Sequence, residues 1–220
     1  MLRRIFKGVL RPFYRIWCKL WYAYSVNKDK KRGVDFYTWV DNAGTPEALA
    51  GHHTYQATAL LYDPPLKKFL RRQNHADDRV VDVGCGKGRM LELFIALGFL
   101  KADGLEYSPE LAEIARNNMK TLGLPCEIFT EDATLFDGYD VYNWFYLYNP
   151  FSRDVMLRFL NRLKESLRRS PRLITILYTN PTCESVFADA GFHMEWIGKG
   201  WYRVRLITNE GMAEGVPPKK

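Results

Sequence analysis

The nine residues V-D-V-G-C-G-K-G-R, Val81 to Arg89, constrain the fold more than any other stretch of the chain. VVDVG (80–84) reads as a short buried strand, and glycines at 84, 86 and 88 follow at once. Glycine tolerates positive φ and lets another group approach bare backbone. The chain must therefore end a strand here, turn tightly and enter a helix, predicted over Lys87 to Ala96. The same alternation continues downstream. GLEYS (104–108) reads as a strand, then Pro109 to Leu122 as a helix with Ser108 as cap and Glu110 in its first turn. CEIFT (126–130) and DVYNWFYLY (140–148) are strands, and Ser152 to Arg169 is a long helix with Ser152 at its cap. RLITILYT (172–179) is a further strand, followed by a short helix from Thr182 to Ala190. HMEWIG (193–198) and WYRVRLIT (201–208) alternate on either side of Lys199-Gly200, which predicts a hairpin. Seven strands interleaved with helices and closed by a hairpin make an α/β fold, with a mainly parallel sheet, helices on both faces and one antiparallel edge.

The charge is concentrated at one end. Net charge is +7, yet residues 1–32 hold ten Lys and Arg against one acid, Asp29, so the arm carries +9 and the rest about −2. A basic nucleic-acid groove on the folded domain is not expected. Within MLRRIFKGVLRPFYRIWCKLWYAYSV, Arg4, Lys7, Arg11, Arg15 and Lys19 recur on one side of a helical wheel. Apolar and aromatic residues, Leu20 and Trp21 among them, occupy the other side. A spanning helix would carry those charges through hydrocarbon at about 2.5–3.5 kcal/mol each near the centre, and no small-residue cleavage site follows. An interfacial amphipathic helix satisfies both faces, with Pro12 as a kink, so residues 1–26 are expected on an anionic membrane surface. A helix docked on the protein's own core or on a partner is the competing reading. The four cysteines are scattered without a C-x-x-C pair or a histidine ligand set, so no metal site is expected, and a reducing, cytoplasmic compartment fits.

Ligands of such sheets lie outside the carboxyl ends of the strands, at the point where strand order reverses. That rule singles out Gly84, Glu106, Asp132 and Asn149. Glu106 ends the second strand, where a carboxylate can take two hydrogen bonds from a ribose diol. Asp132 follows the third strand, where it can receive an adenine amino proton. The glycine spacing is G-x-G-x-G, neither the dinucleotide G-x-G-x-x-G nor a P-loop.

From about Gly51 to Thr208 the chain resembles class I S-adenosylmethionine-dependent methyltransferases, carried by V-D-V-G-C-G-K-G-R, the acid Asp82 within it, and Glu106 after the second strand. The resemblance implies their Rossmann-like fold and S-adenosylmethionine as cofactor. It places Asp82, Gly84, Cys85, Gly86 and Gly88 at the cofactor, the ribose on Glu106 beside Tyr107, and the adenine near Asp132 and Ala133. A nicotinamide oxidoreductase is the alternative that Glu106 allows. A non-catalytic membrane-binding module on the same fold is another.

Y-L-Y-N-P-F, Tyr146 to Phe151, ends the fourth strand beside the reacting methyl in this fold. A protonated amine has no lone pair, so a site for nitrogen must hold the neutral amine, orient it and exclude water. The Asn149 side-chain oxygen and a carbonyl at Asn149 or Pro150 are candidate acceptors of its N–H groups, with Tyr148 and Phe151 as apolar walls. N-P-F is similar to the (D/N)-P-P-(Y/F) loop of amino-group methyltransferases with one proline missing, a departure that argues against a nucleobase acceptor. G-L-E-Y-S-P-E-L-A-E-I-A, the glycine turn and His53-Thr-Tyr55 resemble the Dot-type, non-SET lysine methyltransferases and their bacterial relatives. That likeness implies a lid over the cofactor at Tyr55, with Gln56 beside it. The expected organisation is a basic helical arm (1–32), a connector and lid (33–60), the methyltransferase domain (61–208) and a disordered tail (209–220). The methyl acceptor is expected to be an amine of a protein, a lipid or a small molecule.

Overall fold

In the computed structural model, which describes residues 19–38, 40–41, 54–55, 64–199 and 203–210, a helix α1 (residues 19–32) precedes two short strands. These are β1 (Val40–Asp41) and β2 (Thr54–Tyr55), paired antiparallel with Val40 opposite Tyr55. Helix α2 (Pro64–Arg71) leads into the alternating segment. There follow β3 (Arg79–Val83), α3 (Arg89–Ala96), β4 (Lys101–Glu106), α4 (Pro109–Leu122), β5 (Ile128–Thr130), β6 (Trp144–Tyr148), α5 (Arg153–Arg169), β7 (Thr175–Thr179), α6 (Ser185–Asp189), β8 (His193–Lys199) and β9 (Arg203–Thr208).

The main sheet has seven strands in the order β5-β4-β3-β6-β7-β9-β8. Its first five strands are parallel, and β9 is inserted antiparallel between β7 and β8. After β3 the chain builds outward to β4 and β5, then crosses to the other side of β3 to make β6 and β7. The carboxyl ends of β3, β4 and β6 therefore flank the reversal point where such sheets bind ligands.

Both sheet faces are covered, which is why the strands read as almost continuous apolar runs. The two-residue period of β6 sends Trp144 and Tyr146 to one face and Phe145 and Leu147 to the other. The first face packs on Phe94 of α3 and Ala112 and Ala115 of α4. The second packs on Met156, Phe159 and Leu163 of α5 and on Phe187 of α6.

Several boundaries differ from expectation for local reasons. Helix α3 begins at Arg89 rather than Lys87, because Gly88 takes a left-handed φ of 80° and holds residues 84–88 out of the helix. Ser108 caps α4 as expected, its hydroxyl accepting the Leu111 amide at 3.4 Å. Ser152 sits at the cap position of α5, but its side chain makes no capping bond. Helix α2 was not anticipated; the Pro64-Pro65 pair at its start was the available signal, and it buries Leu66 and Leu70. Asn209, assigned to the tail, is buried: it accepts the Ile174 amide at 2.9 Å and donates to the Arg172 carbonyl at 2.9 Å. The rest of the tail, residues 211–220, and residues 1–18 lie outside the described residues.

Helix α1 is attached to the domain. Trp21 meets Tyr37 edge-on at 5.2 Å, Ser25 and Asp29 are buried, and Arg32 pairs with Glu92 at 2.6 Å. The helical wheel of the arm puts Trp21 on the membrane-facing side, yet it packs on the core while Leu20, Tyr22 and Tyr24 are exposed. The steps of four, four and three between 21, 25, 29 and 32 define the docked stripe.

At Gly104 of β4, a Cβ would lie 2.6 Å from Cys85 Sγ and 3.0 Å from Ile128 Cδ1. Replacement Gly104→Ala is expected to lower unfolding free energy by about 1–3 kcal/mol through overpacking, measured by urea denaturation. Adding Cys85→Ala should recover part of the loss; no recovery would place the strain elsewhere.

Candidate functional site

Three strand ends meet through main-chain hydrogen bonds. The amides of Gly84 and Cys85 both donate to the Leu105 carbonyl, at 2.8 and 3.1 Å, so the glycine turn folds over the end of β4. Gly84, Gly86 and Gly88 have φ of 79°, 54° and 80°, the left-handed region in which a Cβ is strained. The turn then delivers the Gly86 amide to Glu106 Oε2 at 2.7 Å, and the Ser108 amide takes Oε1 at 3.0 Å. These two bonds orient the Glu106 carboxylate at the end of β4. The Glu131 amide donates to the Glu106 carbonyl at 3.2 Å, which draws the β5 loop to the same corner. In that loop Asp132 Oδ1 accepts the Thr134 amide at 2.7 Å, and the buried Ala133 passes its carbonyl to the Tyr139 hydroxyl at 2.8 Å. Tyr107 is exposed beside Glu106.

A fourth segment closes on the turn from β6. A Cβ at Gly84 would sit 3.1 Å from Pro150 Cβ, so the first glycine and the Asn-Pro corner are in contact. Tyr148 and Phe151 flank that corner half-buried, and the Phe151 ring packs toward Phe159 at 5.6 Å. His53 and Gln56 lie outside the described residues, and Tyr55 is placed by its ladder with Val40.

Asp82 is buried in register with Gly104 on β4 and Tyr146 on β6. Burial, reinforced by the Glu106 carboxylate, holds its carboxyl well above the usual range. Two buried carboxyls beside a strand-end turn form a site that favours a cation. Cys85 has the opposite chemistry: burial and the same two carboxylates push its thiol up, so no reactive thiolate forms there.

Asn149 and Asn180 are the two non-glycine residues with positive φ among the described residues, at 42° and 50°, and they end the adjacent strands β6 and β7. Each precedes a proline, so the repeated Asn-Pro was a signal present in the sequence. Asn149 Oδ1 accepts the Thr182 hydroxyl at 2.5 Å and lies 3.5 Å from the Tyr178 hydroxyl. The Tyr178 oxygen itself accepts the Thr182 and Cys183 amides at 3.3 and 3.2 Å, which directs its proton to Asn149. The oxygen expected to take a substrate N–H is thus engaged by two hydroxyls of the protein. Thr182 and Tyr178, which sequence reasoning missed, hold the corner from behind.

Residues 80–170 match the family described as Methyltransferase domain, a span that contains the glycine turn, Glu106, Asp132 and Asn149. No curated protein matches the chain. Among solved structures, a SAM dependent methyltransferase from Aquifex aeolicus superposes with a TM-score of 0.53 at 18% identity, covering 66% of this chain and 88% of that one. The methyltransferase domain of bacterial CtHen1-C gives 0.52 at 17% identity over 65% and 94%. The PH0226 protein of Pyrococcus horikoshii OT3 gives 0.51 at 16% identity over 66% and 86%. These likenesses show the fold. The glycine turn and the two carboxylates beside it lie within the span, residues 80–170, that matches the methyltransferase domain family, and they offer S-adenosylmethionine its site.

Proposed function

We propose that this enzyme methylates an amine nitrogen, on a protein side chain or a lipid head group, while residues 1–26 hold it on the cytoplasmic side of an anionic membrane. The reading rests on one observation: the glycine turn, Glu106 and the Asn-Pro corner form a single contiguous surface. S-adenosylmethionine supplies an electrophilic methyl on a sulfonium. In this reading Glu106 holds its ribose, Asp132 its adenine and Asp82 its positive charge. Asn149, braced by Thr182 and Tyr178, sets the corner, and a backbone carbonyl there accepts one N–H so that the nitrogen lone pair faces the methyl carbon. Tyr148 and Phe151 wall the approach.

An amine suits this corner better than a hydroxyl. Transfer to a hydroxyl calls for a general base, whereas a neutral amine attacks through its own lone pair. Around the corner, Tyr148, Asn149, Phe151 and Thr182 supply no such base, and burial raises the Tyr178 phenol so that it stays a neutral hydroxyl. The nicotinamide alternative gains no support. Likeness to the Dot-type enzymes favours lysine among amines and gives Tyr55 a covering role. For the membrane, α1 exposes Leu20, Tyr22 and Tyr24 together with Lys28, Lys30 and Lys31, continuous with the basic arm. Among the described residues no helix is long and apolar enough to cross a membrane.

Radiolabelled methyl transfer into fractionated lysate tests the acceptor: label is expected in protein or lipid, and label confined to hydroxyl-bearing small molecules would defeat the amine reading. Asn149→Ala should lower kcat on the order of 100-fold by loosening alignment, with S-adenosylhomocysteine binding retained.

The raised Asp82 carboxyl gives a pH signature. A cationic ligand favours its ionised form, so binding releases a proton, and S-adenosylmethionine affinity should rise with pH until it passes the raised value in the free protein. For the cofactor-free fold the sign is opposite. A carboxyl raised on folding contributes stability that is full below the ordinary carboxylate value and is lost as pH climbs through the folded one. Asp82→Asn is therefore expected to raise unfolding free energy at neutral pH, flatten the pH profile of binding, and weaken cofactor at least about tenfold, roughly 1.4 kcal/mol. Calorimetry across pH checks all three.

Removing residues 1–26 should release the protein from anionic vesicles without abolishing cofactor binding. Cosedimentation that survives the truncation would reject the membrane tether.

A further inference from the structure

Glycine loses more conformational freedom on folding than any other residue, so a turn with glycines at 84, 86 and 88 keeps one shape only through contacts with its surroundings. The Leu105 carbonyl and Glu106 hold its first half, residues 84–86. The second half is fastened to residues 35–38, which lie well before the span 80–170 that matches the methyltransferase family. Lys87, between Gly86 and Gly88, has a fully buried side chain. It donates to Asp35 Oδ2 at 2.7 Å, the Thr38 hydroxyl at 2.7 Å and the Thr38 carbonyl at 2.9 Å. Its main chain is held as well. Asn118 of α4 donates to the Lys87 carbonyl at 3.0 Å and to the Asp35 carbonyl at 2.8 Å, and accepts the Asp35 amide at 2.8 Å.

The anchor is fixed in its turn. On α1, the buried Asp29 accepts the Phe36 amide at 2.7 Å through its side chain and the Val34 amide at 3.1 Å through its carbonyl. Tyr37 meets Trp21 edge-on at 5.2 Å. Arg89, the first residue of α3, sets its guanidinium 5.1 Å from the ring centroid of Phe36, which is fully buried. Residues on either side of Gly88 therefore lean on the same short segment.

We propose that Lys87 and Asp35 are positioning residues for the cofactor: their ion pair fixes the second half of the glycine turn, so that the Gly86 amide stays on Glu106 and Glu106 stays oriented for the ribose. Residues 29–38, which sequence reading divides between arm and connector, belong on this account to the cofactor-binding unit. The inference rests on the cofactor site proposed above and assigns the parts that hold it in shape. Neither residue touches a reacting atom, so the effect of losing the pair falls on cofactor affinity.

The test uses the full chain, with two readouts: amide hydrogen exchange by NMR in the ligand-free protein, and calorimetry with S-adenosylhomocysteine. Lys87→Met keeps the length of the side chain and removes the ammonium. It is expected to speed exchange of the Gly86 amide at least about tenfold and to weaken S-adenosylhomocysteine by a similar factor, the loss of a charged hydrogen bond. The amides of Ile176 and Leu177 in β7 should stay within about twofold of wild type, because the opening is local. Asp35→Ala should match Lys87→Met, and the double substitution should add little to either. Thr38→Val removes one acceptor and keeps the charge pair; it should weaken binding about threefold and serves if the other variants do not fold. Unchanged Gly86 exchange in these variants would overturn the proposal. So would faster exchange at Gly86 without loss of affinity, or an equal rise at Ile176 and Leu177, which marks a general loss of stability. A wild-type chain that fails to bind S-adenosylhomocysteine would instead overturn the cofactor site, with Gly86 exchange still judging the brace.

Discussion

The hydrogen bond from the Gly86 amide to the Glu106 carboxylate is the contact on which the remaining geometry depends. It follows from the left-handed Gly84, whose φ of 79° folds the turn back so that its next amides lie over the end of β4. Once it forms, the ends of β3 and β4 share one polar corner, and the Glu131 amide extends the corner to β5. The same turn leaves Gly84 so close to Pro150 that a side chain would crowd it, which seals β6 to the site. Strand order supplies the neighbours, and the glycines make them touch.

Such a corner is electrostatically uneasy by itself. Asp82 and Glu106 are both buried, and burial, reinforced by the Glu106 carboxylate, disfavours ionisation of Asp82. The buried ammonium of Lys87 in the turn pairs with Asp35 and Thr38. A neutral residue at 82 would relieve the cost of a buried carboxylate there.

Much of this was legible in the sequence because it is local or periodic. Strand alternation gave the seven strands and the terminal hairpin, and V-D-V-G-C-G-K-G-R with Glu106 and Asp132 marked the carboxyl ends that do converge. What escaped was set by tertiary packing. Helix α2 is short, with its amphipathic stripe carried by two leucines. Which side of α1 faces inward is decided by Tyr37 and Glu92, residues that no helical wheel of the arm contains. Lys87 read as an ordinary member of a turn, since its partners lie about fifty positions earlier.

The Asn-Pro corner is the sharpest case of a correct place with an altered role. Sequence logic placed Asn149 at the tip of β6 and assigned its side-chain oxygen to substrate. In the folded chain that oxygen faces Thr182 and Tyr178, because β7 ends in a second Asn-Pro turn whose loop carries Thr182 back across the gap. Two amides fix the Tyr178 oxygen as an acceptor, so its proton can only be given away, and Asn149 is the oxygen it meets. A left-handed asparagine is tolerated where surrounding bonds over-determine it, and these hydroxyls supply that constraint. The side chain acts as a brace for the main chain of the Asn-Pro corner.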